Sequence, residues 1–168
     1  MVGPEDSYVK FPALAHSTRL GWRYMSIHDK TSDVDYDSTT NIFFNQFSES
    51  LKRLNPDEMV DETAIQSVLD RLRNDLTAKD VGRLFYRDLV DGVFGLSLID
   101  FNHPENNDFT VATELPYVYE EDSFRPDIIF LLNGIPLAFM EVKRENNRDG
   151  ILAERDRMYR RFSQPHYS

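Results

Sequence analysis

Apolar residues recur at helical spacing through the first ninety positions of this chain and then crowd into short blocks separated by turn residues. Residues 5–20 read as a first helix, with Glu5 and Asp6 at its acidic start and Gly21 at its end. Pro12 interrupts it, and a proline inside a helix kinks or splits the segment. Residues 29–40 are polar, acidic and turn-rich, which predicts a loop. Three helical segments follow. The first runs from about Asn41 to Leu54 and aligns Phe43, Phe44, Phe47, Leu51 and Leu54 on one face. The second opens at Asn55-Pro56, a cap followed by proline at the first helical position, and carries Val60, Ile65, Val68, Leu69, Leu72 and Leu76. The third begins with Thr77 and Asp80 in capping-box register, followed by Val81, Leu84, Phe85, Leu89 and Val90. These stripes are core-forming faces, and nothing in them suggests a cofactor.

After Gly92 the pattern becomes that of strands. Val93 to Phe101 and Phe109 to Tyr119 read as two, separated by a turn at Asn102 to Asn107. Pro126–Leu132 and Leu137–Lys143 read as two more, joined by Asn133-Gly134, a strong hairpin signal. Both are apolar on both faces, as in central strands covered by helices on either side. Residues 150–162 return to helix. The expected fold is therefore α/β (α+β), a central mixed sheet flanked by helices, in one domain over residues 1–168 with a helical insertion at about 41–91. A helix at this point would normally lead back into the sheet, so an N-terminal fragment of a larger subunit is expected.

At 168 residues the chain suffices for one domain with a sizeable core. It has no cysteine, which removes disulfides and thiolate metal sites and agrees with a reducing, cytoplasmic setting. The apolar run from Ile128 to Met140 is too short for a membrane helix, and no membrane partner is expected. The formal charge of −10 works against DNA being held by this domain unaided. The charge is uneven, however. From Lys143 to Arg161 seven basic residues face four acidic ones, a net +3 that leaves −13 on the remainder. That stretch reads equally as a solvated amphipathic helix or a phosphate-contacting one. Arg125, Arg144, Arg155, Arg157, Tyr159 and Arg160 are the candidate DNA contacts.

The chemistry concentrates between Arg125 and Lys143. Of five lysines only Lys143 has an acid two positions before it, and Asp127, Glu141 and Lys143 interrupt otherwise apolar strands. Burying such charges costs stability unless they pair or bind something. Residue pattern alone leaves two readings open: a salt bridge of Lys143 with Glu141 or Asp127, or a metal site. Register separates them. A regular two-residue turn at Asn133-Gly134 places Asp127 opposite Met140, so that Asp127 and Glu141 face opposite ways. A three-residue loop or an equivalent bulge shifts the register by one and brings Asp127, Glu141 and Lys143 to one face. Two carboxylates and the Val142 carbonyl would suit Mg²⁺, with Mn²⁺ as a substitute, and Lys143 would orient water or stabilise phosphate charge. His16, His28, His103 and His166 lack ligand spacing. With neither a G-x-S-x-G nor a Walker A loop, the chain itself is not expected to hydrolyse ATP.

The stretch RPDIIFLLNGIPLAFMEVKRENN resembles the N-terminal nuclease domain of the R (restriction) subunit of type I restriction endonucleases, of the PD-(D/E)xK type. FFNQFSESLKRLNP, DLVDGV and EDSYVKFPALAHSTRLGW are similar to it as well, so the likeness covers most of the chain. The resemblance implies a restriction-endonuclease-like fold with Asp127 and Glu141 as metal ligands, Lys143 as the catalytic lysine, and Glu5 as an added helical acid. It implies a bacterial or archaeal enzyme acting on double-stranded DNA, with ATP-driven motor domains elsewhere in the full-length chain and separate methylation and specificity subunits. The family's Gln-x-x-x-Tyr helix is only half present, since Tyr159 stands here but Arg155 occupies the glutamine position. Two alternatives remain: a nuclease fold that docks DNA or partners without cutting, and a stand-alone repair nuclease. The helical stretch 41–91 and the unfinished sheet argue against the second.

Overall fold

The computed structural model describes residues 6–26, 36–37, 40–76, 78, 80, 82–119, 122–143 and 148–162. A π-helical turn, Asp6–Lys10, leads into α1, Phe11–Arg19. Pro12 sits at the start of α1, where its missing N–H coincides with the change from the wide turn to the α-helix. The proline therefore divides the expected helix without breaking it. Gly21, at φ +100°, closes it, with the Gly21 and Trp22 N–H groups bonded to Thr18 and Ser17 carbonyls.

The three middle helices are α2 (Phe44–Leu54), α3 (Glu62–Leu76) and α4 (Arg83–Val90). All begin later than the sequence pattern predicts. Asn55 does not cap α3. It terminates α2, and its side chain bonds the Leu51 carbonyl and both the N–H and carbonyl of Ser97. Asp61 caps α3 instead, accepting from the Ala64 N–H at 2.9 Å. Asp80 does act at the start of α4, accepting from Leu84 N–H at 2.7 Å, while Thr77 lies outside the described residues.

The main sheet has the order β1-β2-β5-β6, formed by Arg23–Met25, Phe109–Thr113, Ile128–Leu132 and Ile135–Met140. The β1–β2 pair is parallel and the others antiparallel, so the sheet is mixed as expected. A second, small hairpin joins β3 (Tyr117–Tyr119) and β4 (Asp122–Phe124). The helix α5, Arg148–Phe162, follows the main hairpin.

Three expectations about strands need correction. Residues 93–101 form turns and bends rather than a strand, with Gly92 and Gly95 in the left-handed region. Their apolar members Phe94, Leu96, Leu98 and Ile99 pack against the α2–α3 core. Tertiary burial, not pairing, explains the hydrophobic run there. The span from Phe109 to Tyr119 is two strands, divided at Glu114 (φ 57°) and Pro116. Among the described residues β6 is an edge strand, with Leu137, Phe139 and Met140 exposed.

Strand β5 is buried on both faces. Ile128 and Phe130 pack with Val9, Ala13, Leu14 and Trp22 on the α1 side. Ile129 and Leu131 meet Phe43, Ala112 and Leu115 on the other. The larger core, centred on Phe47, Leu51, Ile65, Val68, Leu69 and Leu72, joins α2 and α3 to Ile135 of β6. Burying such side chains contributes about 1.5–3 kcal/mol each, which makes these two helices integral to the sheet's support.

Candidate active site

The β5–β6 connection is a two-residue turn. Leu132 pairs with Ile135, and Asn133 and Gly134 adopt φ of 54° and 81°. Taken alone, that turn would point Asp127 and Glu141 to opposite faces. The pairing then shifts: Leu131 faces Pro136, but Phe130 faces Ala138, leaving Leu137 as an extra residue on β6. Beyond this bulge Ile128 pairs with Met140, the last pair of the ladder. Continued by one step, that register puts Asp127 opposite Glu141, and the two carboxyls are hydrogen-bonded to each other. A tight turn and the required register shift therefore coexist. Pro136 explains the location, because proline cannot donate to a ladder and belongs at edges and bulges.

The turn itself is clamped. Asn133 is buried, and its amide nitrogen bonds the Leu98 carbonyl and the Asn107 side chain, while its oxygen accepts from the Asp108 N–H. The Phe43 N–H bonds the Gly134 carbonyl at 2.9 Å, fixing the turn against the start of α2. The segments that looked like an inserted helical layer thus hold the hairpin that carries the acids.

At the far end of that hairpin, Asp127 Oδ2 accepts the Val142 backbone N–H at 2.9 Å. Its Oδ1 lies 3.8 Å from the Lys10 ammonium, which is bonded at 2.6 Å to Glu114 Oε1. Lys143 Nζ is 3.8 Å from Glu154 Oε2 on α5, and Glu154 is also paired with Arg157. Glu141 Oε1 is buried with no hydrogen-bond partner among the described residues. Burial first, then the charge of Asp127 and a hydrogen bond with it, then Glu154, push the Glu141 carboxyl up to about 7; Lys143 opposes the shift. Asp127, Glu141 and Lys143 are thus brought together.

The other candidates fall less centrally. Val142 is buried, and its N–H serves Asp127. Glu5 and Arg144 lie outside the described residues. Arg125 is exposed. On α5, Arg155 pairs with Asp156, Arg157 with Glu154, and Arg160 bonds the Asp156 carbonyl, while Tyr159 is exposed. Sequence reasoning missed Lys10, Glu114 and Glu154. The signal for Glu154 was its place beside the position where glutamine was expected; Lys10 offered none until α1 was docked. Among the described residues no group of three or more histidine, cysteine or acidic side chains is disposed to hold a metal, so the carboxylates that meet are a pair.

The raised Glu141 value fixes the sign of a pH effect. A carboxyl whose folded-state value exceeds its ordinary 4.5 contributes stability that is complete below that value and is lost as pH rises through about 7. Thermal melts of the metal-free chain should therefore show stability falling over that window, by on the order of 1–2 kcal/mol after allowance for solvent screening. Glu141→Gln should flatten the profile; an unchanged profile would remove Glu141 as its cause.

The mixed sheet flanked by helices, with an acid-bearing hairpin at one edge, is a restriction-endonuclease-like α/β fold. The chain belongs to the family described as the type I restriction enzyme R protein N terminus, whose model matches residues 4–164. It is 30% identical over 159 residues to a putative type I restriction enzyme MjaIXP endonuclease subunit from Methanocaldococcus jannaschii, an alignment covering 83% of this chain and 15% of the relative. It is 31% identical over 149 residues to the type I restriction enzyme HindI endonuclease subunit from Haemophilus influenzae, covering 74% of this chain and 13% of that protein. The chain thus spans only a small part of the length of these relatives. No solved structure matches it. Among the described residues no helix is long and apolar enough to cross a membrane.

Proposed function

We propose that this chain is the metal-dependent DNA-cleaving domain of a type I restriction R subunit, hydrolysing phosphodiester bonds of double-stranded DNA at Asp127, Glu141 and Lys143. The observation that carries the reading is the bulge at Leu137, which sets the two acids opposite each other despite a two-residue turn. A hydrogen-bonded pair of carboxyls, one with a buried oxygen that has no partner among the described residues, offers a divalent cation two acidic donors and one unsatisfied atom. All the donors are oxygen, which suits Mg²⁺ or Mn²⁺.

Asp127 and Glu141 would hold the ion, with the Val142 carbonyl as a further donor. Once bound, the ion supplies Lewis acidity toward a phosphoryl oxygen and lowers the pKa of water. Asp127 is kept in place by the Val142 N–H, which leaves its outward lone pairs available. Lys143, held near Glu154, supplies a positive charge beside the carboxylates that can orient the attacking water or offset charge developing on the phosphate. Arg125, Tyr159 and Arg160 are exposed and can meet the DNA backbone, though Arg155 and Arg157 already serve acids of their own helix.

The acidic balance of the chain makes tight DNA binding by this domain alone unfavourable. In this reading, motor domains in the full-length protein, together with methylation and specificity subunits, deliver the DNA in the cytoplasm, and ATP is used by those domains rather than here. The test is calorimetric titration of Mn²⁺ into the chain, alongside DNA cleavage by the full-length assembly with Mg²⁺ or EDTA. Saturable ion binding that Glu141→Gln abolishes, together with EDTA-sensitive cutting, supports the proposal. Cleavage that persists in EDTA, or in Glu141→Gln, would overturn it.

A further inference from the structure

Lys10 is a buried ammonium that the proposed chemistry does not use. It ends the π-helical turn and is only 6% exposed. An unpaired lysine in such a place would be neutralised or expelled, so its partners define its role. Two of its contacts are acids that flank different strands. Glu114 Oε1, just past the end of β2, is 2.6 Å away, and Asp127 Oδ1, just before β5, is 3.8 Å away.

The backbone supports the same grouping. Glu114 has φ 57°, a left-handed conformation uncommon for a side chain of its kind, and its N–H bonds the Asp127 carbonyl at 3.3 Å. A strained residue persists where its surroundings over-determine it. Here Lys10 takes its side chain and Asp127 takes its N–H. Lys10, Glu114 and Asp127 thereby form a closed link between the first helical segment, the end of β2 and the start of β5. With Lys143 on the Glu141 side, one ammonium stands by each carboxylate of the pair.

We propose that Lys10 is a built-in counter-ion of the Asp127–Glu141 pair: a positioning residue that fixes Asp127 in the metal-free protein and holds down the affinity for the divalent ion. This rests on the metal-site reading above, and it goes further by assigning an internal cation that competes electrostatically with the external one. Glu114 is the brake on that competition, because it draws the ammonium away from Asp127.

The test measures Mn²⁺ binding by calorimetry and thermal melting in EDTA for the wild-type chain, Lys10→Met, Lys10→Arg and Glu114→Gln. Removing one buried charge close to the acids should tighten Mn²⁺ binding about tenfold in Lys10→Met while lowering the melting temperature in EDTA. Lys10→Arg, which keeps the charge, should bind within about twofold of wild type. Glu114→Gln releases the ammonium toward Asp127 and should weaken binding several-fold, a result that can be read even if Lys10→Met does not fold. A purely structural lysine predicts a lower melting temperature with unchanged ion affinity, and that outcome overturns the inference while leaving the metal site intact. Weaker binding in Lys10→Met, or unchanged binding in Glu114→Gln, overturns it as well. Absence of Mn²⁺ binding in folded wild-type chain sinks the metal-site reading itself, and this inference with it.

Discussion

Asp127→Ala is expected to eliminate both divalent-ion binding and DNA cleavage, whereas Lys143→Ala should eliminate cleavage alone. Asp127 faces Glu141 across the hairpin, and the pair supplies both carboxylates of the proposed ion site. Without Asp127, one monodentate acid and a backbone carbonyl remain, too few charged donors for a hydrated Mg²⁺. Cleavage should fall by at least about a thousandfold. Because alanine also leaves the Val142 N–H and Lys10 without this acceptor, Asp127→Asn is the matched control. It keeps an oxygen for the N–H, so a loss of ion binding in Asn as in Ala assigns the effect to charge. Lys143 is no metal donor, and its ammonium is held 3.8 Å from Glu154. Its removal should cost about a hundred- to a thousandfold in cleavage, with Mn²⁺ affinity no weaker than wild type. Full-length assemblies cutting plasmid DNA supply one readout and calorimetry the other. Undiminished cutting by Lys143→Ala would instead favour a salt bridge as its whole role.

The second large effect concerns folding. Gly134→Ala should destabilise the chain by about 3 kcal/mol or more, combining the left-handed backbone penalty of roughly 1–2 kcal/mol with a direct clash. A Cβ at this position would lie 2.7 Å from the Phe47 nitrogen and 2.8 Å from the Phe43 oxygen, both backbone atoms of the α2 entry. Neither can swing aside as a flexible side chain would. Urea denaturation would measure the loss, and Gly92→Ala is a fair comparison. It too has a positive φ, but nothing lies within 4 Å of its Cβ position, so only the backbone penalty should appear. Equal losses at the two sites would mean that the approach of α2 to the turn is unimportant.

Much of the fold was legible because its elements obey their own periodicity. The stripe Ile65, Val68, Leu69 and Leu72 marked α3, and the apolar runs around Asn133-Gly134 marked the hairpin. Boundaries were less so, since Asn55 has a capping side chain whose partners, Leu51 and Ser97, belong to the preceding helix and to a segment 42 residues further on rather than to the expected helix. Residues 93–101 misled because burial against α2 and α3 produces the same apolar run as a strand. For the site, the three groups between Arg125 and Lys143 were visible as charges set in apolar surroundings. The register was not, although Pro136 was a usable sign of the bulge. Lys10 and Glu114 could not be read, because over a hundred residues separate them and only packing brings them together.

Thirteen residues separate the two facing acids, an odd number made possible by the spare Leu137. The hairpin consequently obeys a rule of parity. With the two-residue turn and the bulge both kept, gaining or losing one residue in the paired stretches between Asp127 and Glu141 turns one acid to the opposite side of the ribbon. Loss of the spare Leu137 itself is the exception, because a regular ladder then keeps the same residues paired. Paired changes of length preserve the facing. Evolution of this segment is otherwise confined to even steps unless a compensating irregularity arises, a restriction imposed by strand pleating and independent of what the intervening side chains do.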